Sequence, residues 1–500
     1  MTIPLITRAE AFGARTALVD ANGSYSYDDL LRASAAVAGR LLNGRSDLAE
    51  QRVAFLVPPG FPYVATQWGV WRAGGIAVPL AVSHPPAELA YVLDDSDAAH
   101  VVAHPASVER VRDVAKQRGL STLSTSALLE GGESILPDVA DTRRAMMLYT
   151  SGTTGRPKGV VTTHAQIQAQ VVSLVEAWDW VGDDRILLIL PLHHVHGIVN
   201  VLTCALWSGA CCEMLPRFDA SETWSHIIDR PLTLFMAVPT IYRRLIDVWE
   251  QAPPPERKRM SAACGKFRLM VSGSAALPVS VLERWREMTG HVLLERYGMT
   301  EIGMGLSNSL EGERFPGSVG GALPGVETRI VDDEMNEVPP GTPGELLVAG
   351  PNVFSEYWRR PAETAAVFHN GWFRTGDVVV VEDGRYRIMG RQSVDIIKTG
   401  GYKVSALEIE EVLRTHPGIR ECAVVGAPDT DWGERVCVAV EVTETSKLDI
   451  GELRSWARDH LAPYKIPKDL EVVESLPRNA MGKVTKPAVA ELFAPDSGVG

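Results

Sequence analysis

Residues 149–161 read YTSGTTGRPKGVV, a segment rich in glycine and hydroxyl side chains that also carries Lys158. Glycines let successive backbone N–H groups converge on an anion, while hydroxyls and a lysine add donors and positive charge. The segment is not a Walker A loop, because no serine or threonine follows the lysine and the glycine spacing differs. A generic loop of this composition favours a surface turn, here between Met146–Tyr149 and Val160–Thr163. Composition alone therefore does not establish phosphate binding.

Around this segment, from Ala17 to about Gly390, short β-rich stretches alternate with amphipathic helical ones. Arg52–Val57 predicts a buried strand, Pro86–Leu93 a helix with proline in its first turn, and Ala99–Ala103 the next strand. Alternation of this kind predicts βαβ units and a parallel sheet that is covered on both faces.

The pattern changes towards the C-terminus. Between Asp332 and Arg391 it predicts hairpins, and after Arg391 a small α/β unit begins. The predicted elements of that unit are the helices Leu407–Arg414 and Ile450–His460 and the strands Glu421–Gly426 and Val436–Val442. Five hundred residues exceed one compact core, which stops growing near ~250–300 residues. We therefore predict an α/β protein with domains 1–391 and 392–500: a large one of parallel-sheet layers with a β-rich subdomain, and a small mobile one.

Composition limits the function classes. A net charge of −13 argues against a nucleic-acid surface, which needs a clustered basic face. The six cysteines form no CxxC pair and lie in mostly apolar surroundings, which indicates buried reduced thiols. The apolar stretch Ile186–Leu215 is interrupted by proline, histidines and glycines, so it does not predict a membrane span. The N-terminus shows neither a signal-peptide core nor a transit pattern, and we expect a cytoplasmic monomer or weak homo-oligomer.

Several further motifs appear in a fixed order along the chain. They are LPLHHVHG at 190–197, SGSAALP at 272–278, ERYGMTE at 295–301, WFRTGDVV at 372–379, GR at 390–391, GGYKVSALEIE at 400–410 and PRNAMGKVTK at 477–486. Together with YTSGTTGRPKGVV, this series resembles the superfamily of acyl-CoA synthetases, non-ribosomal-peptide adenylation domains and firefly luciferase. The resemblance covers nearly the whole chain. It implies an enzyme that uses ATP to convert a carboxylate into an acyl-AMP, with a large N-terminal and a small mobile C-terminal domain.

The resemblance also implies roles for individual residues. Ser151, Thr153, Thr154 and Lys158 match the phosphate-handling loop. Thr300 and Glu301 match residues that contact the α-phosphate and hold Mg²⁺, for which a hard oxygen ligand is suitable. The positions matched to ATP binding are Thr150, Ser151, Gly152, Thr153, Thr154, Lys158, Gly273, Ser274, Ala275, Glu295, Tyr297, Gly298, Asp377 and Arg391. Among them, Asp377 and Arg391 match the ribose contacts.

Lys483 matches the family's catalytic lysine, which bridges the developing charges of the carboxylate and the α-phosphate. Gly400, Gly401, Tyr402 and Lys403 match the loop that replaces this lysine for the second half-reaction and lines the tunnel for coenzyme A. Domain rotation would exchange the two faces. The hinge sequence is one residue longer than the common family pattern, so the pivot within Gln392–Asp395 stays open.

Two arginines are candidates for binding a second carboxylate on the acid, which cannot be buried without a cation. On the helix after Pro239, Arg244 is predicted to border the apolar face, with Arg243 pointing roughly opposite. Arg296 closely follows a predicted buried strand, Val292–Leu294. Alternatively, Arg244 pairs with a structural carboxylate and Arg296 stabilises the core. Both positions resemble the malonyl-CoA synthetase branch, in which they bind the distal carboxylate.

Ser272 or Ser274, His194 and Met304 would complete the acid pocket, with His194 also a catalytic candidate. A metal cluster of His193, His194 and His196 is the alternative for the histidines. The resulting hypothesis is a malonate, or methylmalonate, ligase that uses ATP, Mg²⁺ and coenzyme A, with small molecules as its partners. The alternatives are a synthetase for a medium-chain or other monocarboxylic acid, and a nucleotide-binding or carrier-loading module that releases no acyl-CoA.

Overall fold

The computed structural model describes residues 3–131, 135–150, 156–443, 448–478 and 484–494. These residues fall into two compact units. The first comprises Met1–Phe315, Gly320–Glu327 and Val348–Phe373, and the second Pro316–Val319, Thr328–Leu347 and Arg374–Gly500. The predicted α/β class, with a large N-terminal and a smaller C-terminal part, is confirmed. The predicted boundary between residues 391 and 392 stays a prediction.

The first unit contains a nine-stranded sheet whose central strands are parallel. Its spatial order is Gly321–Ala322, Gly303–Ser307, Leu294–Met299, Leu269–Ser272, Leu234–Ala237, Arg185–Leu188, Cys211–Met214, Thr16–Asp20 and Gly23–Ser26. The central strands are continuous apolar runs such as LMVS and LFMA, because both faces of a parallel sheet are covered.

A second sheet of the same unit has seven strands. Its order is Glu356–Tyr357, Lys158–Thr163, Arg144–Thr150, Ile76–Pro79, Arg52–Leu56, His100–Ala103 and Thr122–Ser124. Arg144–Thr150 and Lys158–Thr163 pair in antiparallel fashion, with Thr150 opposite Lys158. The predicted phosphate segment therefore connects two neighbouring strands, although residues 151–155 lie outside the described part of the chain.

Helices cover these sheets and begin at recognisable caps. Ser26 and Asp29 form a capping box at one helix, and Thr163 and Gln166 form another directly after the hairpin. The helices of this unit are Pro4–Glu10, Tyr27–Leu42, Phe61–Arg72, Pro86–Asp95, Val108–Lys116, Thr125–Leu129, His164–Ala177, Cys204–Ser208, Ala220–Asp229, Pro239–Gln251, Pro254–Cys264, Val279–Thr289 and Pro361–Ala366, with a π-helix at His196–Thr203. Phe368–His369 adds a short hairpin with Trp372 and Phe373.

The second unit contains two sheets. The strands Glu327–Val331, Gly344–Ala349, Trp372–Glu382 and Arg385–Arg391 follow one another in the first sheet. The second has the order Tyr402–Ser405, Ile396–Thr399, Gly433–Val442 and Ile419–Asp429, with Asp469–Val472 also paired to Gly433–Val442. The helices are Ala406–Leu413, Ile450–Ala457 and Lys486–Glu491, with a 3₁₀ turn at Pro463–Lys465. The predicted hairpins and small α/β unit are thus present.

All six cysteines are buried and free, as the sequence indicated. Burial raises the thiol pKa of Cys211 to about 11 and that of Cys437 to about 12. Within the described ranges, no helix is long and apolar enough to cross a membrane.

Candidate active site

The ends of three neighbouring parallel strands bring some of the candidate residues of the first unit together in the nine-stranded sheet. Ala237 lies opposite Ser272, and Ser272 lies opposite Glu295. The chain continues from these positions into Gly273 and Ser274 on one strand and into Arg296 on the next. The carboxyl ends of parallel strands are where α/β proteins bind their ligands.

Arg296 is the most unusual side chain at this edge. It lies within the strand Leu294–Met299, opposite Ser307, and only 3% of it is exposed. The sequence placed it after a strand at Val292–Leu294; the strand instead begins at Leu294 and includes the arginine. The run of apolar residues at 292–294 continues into the strand without a turn, which explains the difference.

No carboxylate among the described residues forms an ion pair with Arg296. Both terminal nitrogens donate to the Ser274 hydroxyl over 3.4 Å, and the Nε atom is buried without a hydrogen-bond partner among those residues. Burial lowers the pKa of the guanidinium to about 9. Because a buried charge without a counter-ion is costly, the arrangement is suited to an anionic ligand.

Gly273 and two serines lie close to the Arg296 side chain or to the strand that carries it. A methyl group at Gly273 would stand 2.5 Å from the Cζ atom of Arg296, so only glycine allows this approach. Ser274 has a left-handed backbone conformation, with φ of 67°, and its hydroxyl shares a 3.2 Å hydrogen bond with His196 Nδ1. Ser272 is fully buried, and its hydroxyl has no partner in the described part of the molecule.

His196, which the sequence suggested only as an alternative metal ligand, contacts Ser274. It begins the π-helix His196–Thr203 and is 4% exposed. His194 is half-buried and its ring contacts that of His193 at a tilt of 48°, with the ring centres 4.0 Å apart. Burial lowers the pKa of His193 to about 2, so its ring is neutral at physiological pH. Within the described ranges no group of three or more histidine, cysteine or acidic side chains could hold a metal ion, which does not support a histidine cluster.

The other residues predicted to contact the acid differ in exposure. Arg244 lies on the helix Pro239–Gln251 and is exposed, as is Arg243, which pairs with Asp247 at 3.1 Å. The helix buries Ile241, Tyr242 and Leu245, and both arginines are exposed, so the predicted contact of Arg244 with the acid stays a prediction. Met304 is 3% exposed and lies opposite Gly298 in the adjoining strand.

Glu301 and Lys158 are connected through one aromatic side chain. The Tyr357 hydroxyl donates to Glu301 Oε1 over 2.8 Å, and Glu301 is 6% exposed. The Lys158 ammonium lies 5.0 Å from the centre of the Tyr357 ring and pairs with Glu363 at 2.6 Å. Tyr357 thus joins the lysine of the phosphate segment to the carboxylate of the Thr300–Glu301 motif, a role that was not predicted.

The remaining nucleotide candidates of the first unit lie nearby in sequence and structure. Glu295 is buried, and its carbonyl accepts hydrogen bonds from the backbone and side-chain amides of Asn308. Tyr297 and Thr300 are half-buried, whereas Ala275 is exposed. Ser151, Gly152, Thr153, Thr154 and Lys483 lie outside the described residues.

In the second unit, Asp377 and Arg391 form an ion pair. They lie opposite each other on neighbouring strands, with Nε of Arg391 3.0 Å from Asp377 Oδ1. The Thr375 hydroxyl accepts a hydrogen bond from the Asp377 amide over 3.1 Å, and Asp377 is 7% exposed. The sequence assigned both residues to the ribose, and the structure brings them together.

The predicted coenzyme A residues form a tight hairpin in the same unit. Gly400 and Gly401 have φ values of 56° and 83°, which are typical of a two-residue type I′ turn between Thr399 and Tyr402. Tyr402 is 54% exposed and stacks on Tyr464, with ring centres 4.3 Å apart. Lys403 pairs with Asp333 at 2.6 Å.

Comparison with known proteins identifies the class. A family model described as AMP-binding enzyme matches residues 5–358, and one for the AMP-binding enzyme C-terminal domain matches residues 408–483. The chain belongs to the AMP-binding enzyme family, that is, to the adenylate-forming enzymes.

Individual relatives cover nearly all of the chain. Mitochondrial malonate–CoA ligase ACSF3 of Bos taurus is 48% identical over 99% of this chain and 91% of its own length. Malonate–CoA ligase of Arabidopsis thaliana is 42% identical over 89% of this chain and 78% of its own. The crystal structure of ATP-bound MatB from Rhodopseudomonas palustris superposes with a TM-score of 0.90, at 34% identity and 99% coverage of both chains.

Proposed function

We propose that this chain is an AMP-forming acid–thiol ligase that activates malonate, or methylmalonate, and transfers it to coenzyme A. Its first half-reaction converts the acid and ATP into acyl-AMP and pyrophosphate, and its second gives malonyl-CoA and AMP. The observation that carries the choice of acid is Arg296, a buried cation without a carboxylate partner among the described residues. The names of the ligase relatives support the same assignment.

The chemistry explains why such a cation is needed. Malonate has one carboxylate that attacks ATP and a second that must enter the pocket as an anion. A planar guanidinium binds a carboxylate through two hydrogen bonds, and the two Arg296 nitrogens near Ser274 supply such a pair. Ser272, Ser274 and His196 add polar groups around it. We assign Met304 to the pocket as well, and we retain Arg244 and His194 as candidates from the sequence.

The first half-reaction joins two anions, so the enzyme must screen and orient the triphosphate. We assign this to Lys158, to the phosphate-loop residues at 150–154 and to Thr300. Asp377 and Arg391 would hold the ribose, and Gly273–Ala275 with Tyr297 the adenine. Lys483 is proposed as the catalytic lysine that stabilises the charge shared by the carboxylate and the α-phosphate. The Gly400–Lys403 hairpin is proposed to line the path of coenzyme A.

Glu301 is proposed to bind Mg²⁺, which would neutralise phosphate charge when it is present. Carboxylate oxygens suit this ion, and Mg²⁺ is commonly held by one or two carboxylates together with water and substrate phosphates. A single buried carboxylate that is oriented by the Tyr357 hydroxyl fits this requirement. The predicted cytoplasmic location stays a prediction, since the bovine relative is named mitochondrial.

ATP–pyrophosphate exchange tests the proposal across malonate, methylmalonate, acetate, hexanoate and benzoate. We expect malonate or methylmalonate to stimulate exchange, with thioester formation seen by mass spectrometry after coenzyme A is added. Exchange stimulated only by monocarboxylic acids would replace the proposal by the alternative acyl-CoA synthetase. Exchange without thioester would instead indicate a carrier-loading module.

A further inference from the structure

We propose that Arg360 is a positioning residue for the nucleotide, because it ties together both ends of the segment that carries Lys158. This inference rests on the proposed function in assigning phosphate contact to Lys158. Arg360 directly precedes the helix Pro361–Ala366 and was not singled out by any motif. It belongs to the first unit together with every residue that it contacts in this argument.

The first connection leads to the N-terminal end of the segment. Nη2 of Arg360 donates to Asp95 Oδ1 over 2.8 Å, and the other oxygen of Asp95 accepts from the Tyr149 hydroxyl over 2.9 Å. Burial and the Asp95 charge raise the pKa of Tyr149, so its hydroxyl stays protonated and can donate the hydrogen bond to Asp95. These hydrogen bonds hold Tyr149 in place, and Tyr149 is the residue before Thr150, at which the strand Arg144–Thr150 ends.

The second connection leads to the C-terminal end. Nη1 of Arg360 donates to Glu363 Oε1 over 3.4 Å, and the other carboxylate oxygen pairs with the Lys158 ammonium at 2.6 Å. The Lys158 hydrogen bond lowers the pKa of Glu363, which keeps this carboxylate ionised. Lys158 is therefore held between Glu363 and the ring of Tyr357.

A third connection is made through Tyr91. Its hydroxyl accepts a hydrogen bond from Nη2 of Arg360 over 3.3 Å and donates one to the Pro157 carbonyl over 2.6 Å. The Arg360 guanidinium is thus connected to Tyr149, Pro157 and Lys158, in each case through one intervening side chain. Since charged networks of this kind act cooperatively, removing the shared cation should make the positions of all three residues less fixed.

The alternative is that Arg360 serves only stability, as many ion pairs do. The neighbouring Arg359 provides a matched control, because it pairs with Asp97 at 2.6 Å and is the more exposed of the two, at 60% against 29% for the Arg360 side chain. Arg359 also lies over the Trp358 ring, 5.6 Å from its centre, and the backbone amide of Trp358 donates to the Gly159 carbonyl; none of the contacts of the Arg359 side chain among the described residues is with Asp95, Glu363 or Tyr91, which connect Arg360 to the segment. A general effect of removing positive charge near this site would appear in both variants.

The experiment is calorimetric titration of the full chain with Mg·ATP in the absence of any acid. We expect R360Q to weaken ATP binding roughly tenfold, R360K to restore part of the loss, and R359Q to bind as the wild type. In steady state, KM for ATP should rise in R360Q while KM for malonate stays within about twofold, which a purely structural role would not produce.

Unchanged ATP affinity in R360Q, or equal weakening in R359Q, would overturn the inference. If R360Q does not fold, Y149F and E363Q decide instead, because each removes one of the two main links. Both must weaken ATP binding, and normal affinity in both rejects the proposal. Because the titration contains no acid, an error in the malonate assignment would appear in the wild-type exchange panel and leave this test intact.

Discussion

Arg296 places both of its terminal nitrogens 3.4 Å from the Ser274 hydroxyl, and this hydroxyl also bonds His196 Nδ1 at 3.2 Å. The contact is long for a hydrogen bond to a charged group, whose usual distance is about 2.7–2.9 Å. The guanidinium is therefore only partly satisfied by the residues that the structure describes. An arriving carboxylate would supply the stronger partner.

Replacing Arg296 by methionine separates a ligand-binding from a structural role. Methionine fills similar space without charge, and removing an uncompensated buried cation should not lower the free energy of unfolding. We expect R296M to lose malonate-dependent exchange at least about 100-fold while the melting temperature is kept or raised. Chemical denaturation and the exchange assay measure the two effects. A variant that unfolds, with ATP binding lost as well, would favour the structural role.

Malonate itself should stabilise the wild-type protein. A ligand that binds only the folded state adds about 2.7 kcal/mol at 100 times its Kd. We expect malonate with Mg·AMP to raise the melting temperature of the wild type but not of R296M, and acetate to have little effect on either. Equal shifts for malonate and acetate would argue against recognition of a second carboxylate.

Gly273→Ala tests the close approach to the same arginine. The added methyl group would meet Cζ at 2.5 Å, so the guanidinium must move away from Ser274. We expect KM for malonate to rise roughly tenfold, with the overall fold retained. The exposed neighbour Ala275 supplies the control, and A275G should leave malonate KM nearly unchanged. A normal malonate KM in G273A would show that the guanidinium position is unimportant.

Tyr357→Phe removes the hydroxyl bonded to Glu301 and keeps the ring beneath Lys158. Groups that orient a metal ligand commonly affect metal affinity by about tenfold or more. We therefore expect Mg²⁺-dependent ATP binding to weaken roughly tenfold, measured by calorimetry at several Mg²⁺ concentrations. Binding measured without Mg²⁺ should change little. If ATP binding weakens equally with and without Mg²⁺, the Tyr357 hydroxyl does not act through a metal ligand.

Asp377→Asn tests the proposed ribose contact. The wild type should favour ATP over 2′-deoxy-ATP, because a site built for hydroxyls rejects ligands that lack them. In D377N we expect ATP binding to fall and this discrimination to shrink to roughly twofold or less. Competition titrations with the two nucleotides provide the measurement. If D377N discriminates between ATP and 2′-deoxy-ATP as well as the wild type does, another residue contacts the ribose.

Much of the fold was predictable because apolar runs and turn residues determine it locally. The strand Gly344–Ala349 matches the sequence prediction, and the Gly400–Gly401 turn lies within a motif quoted from the sequence. Arg296 was selected because an arginine beside an apolar run is hard to place on a surface. Tyr357 and Arg360 were not named from the sequence, and His196 only as an alternative metal ligand, since the contacts described above join segments far apart in the chain. Helical periodicity placed Arg244 at the border of an apolar face, but it does not determine how far neighbouring elements cover that side chain, which is exposed.

The burial of all six thiols has a practical consequence for measuring this enzyme. A thiol reacts as its thiolate, and burial raises the pKa even of the Cys211 thiol to about 11. Aromatic disulfide reagents should therefore titrate the free thiol of coenzyme A without inactivating the folded protein. Because the reagent also consumes coenzyme A, it is added to aliquots withdrawn at intervals; the remaining coenzyme A is then read by absorbance, and any thiol signal that the protein contributes reports its unfolding.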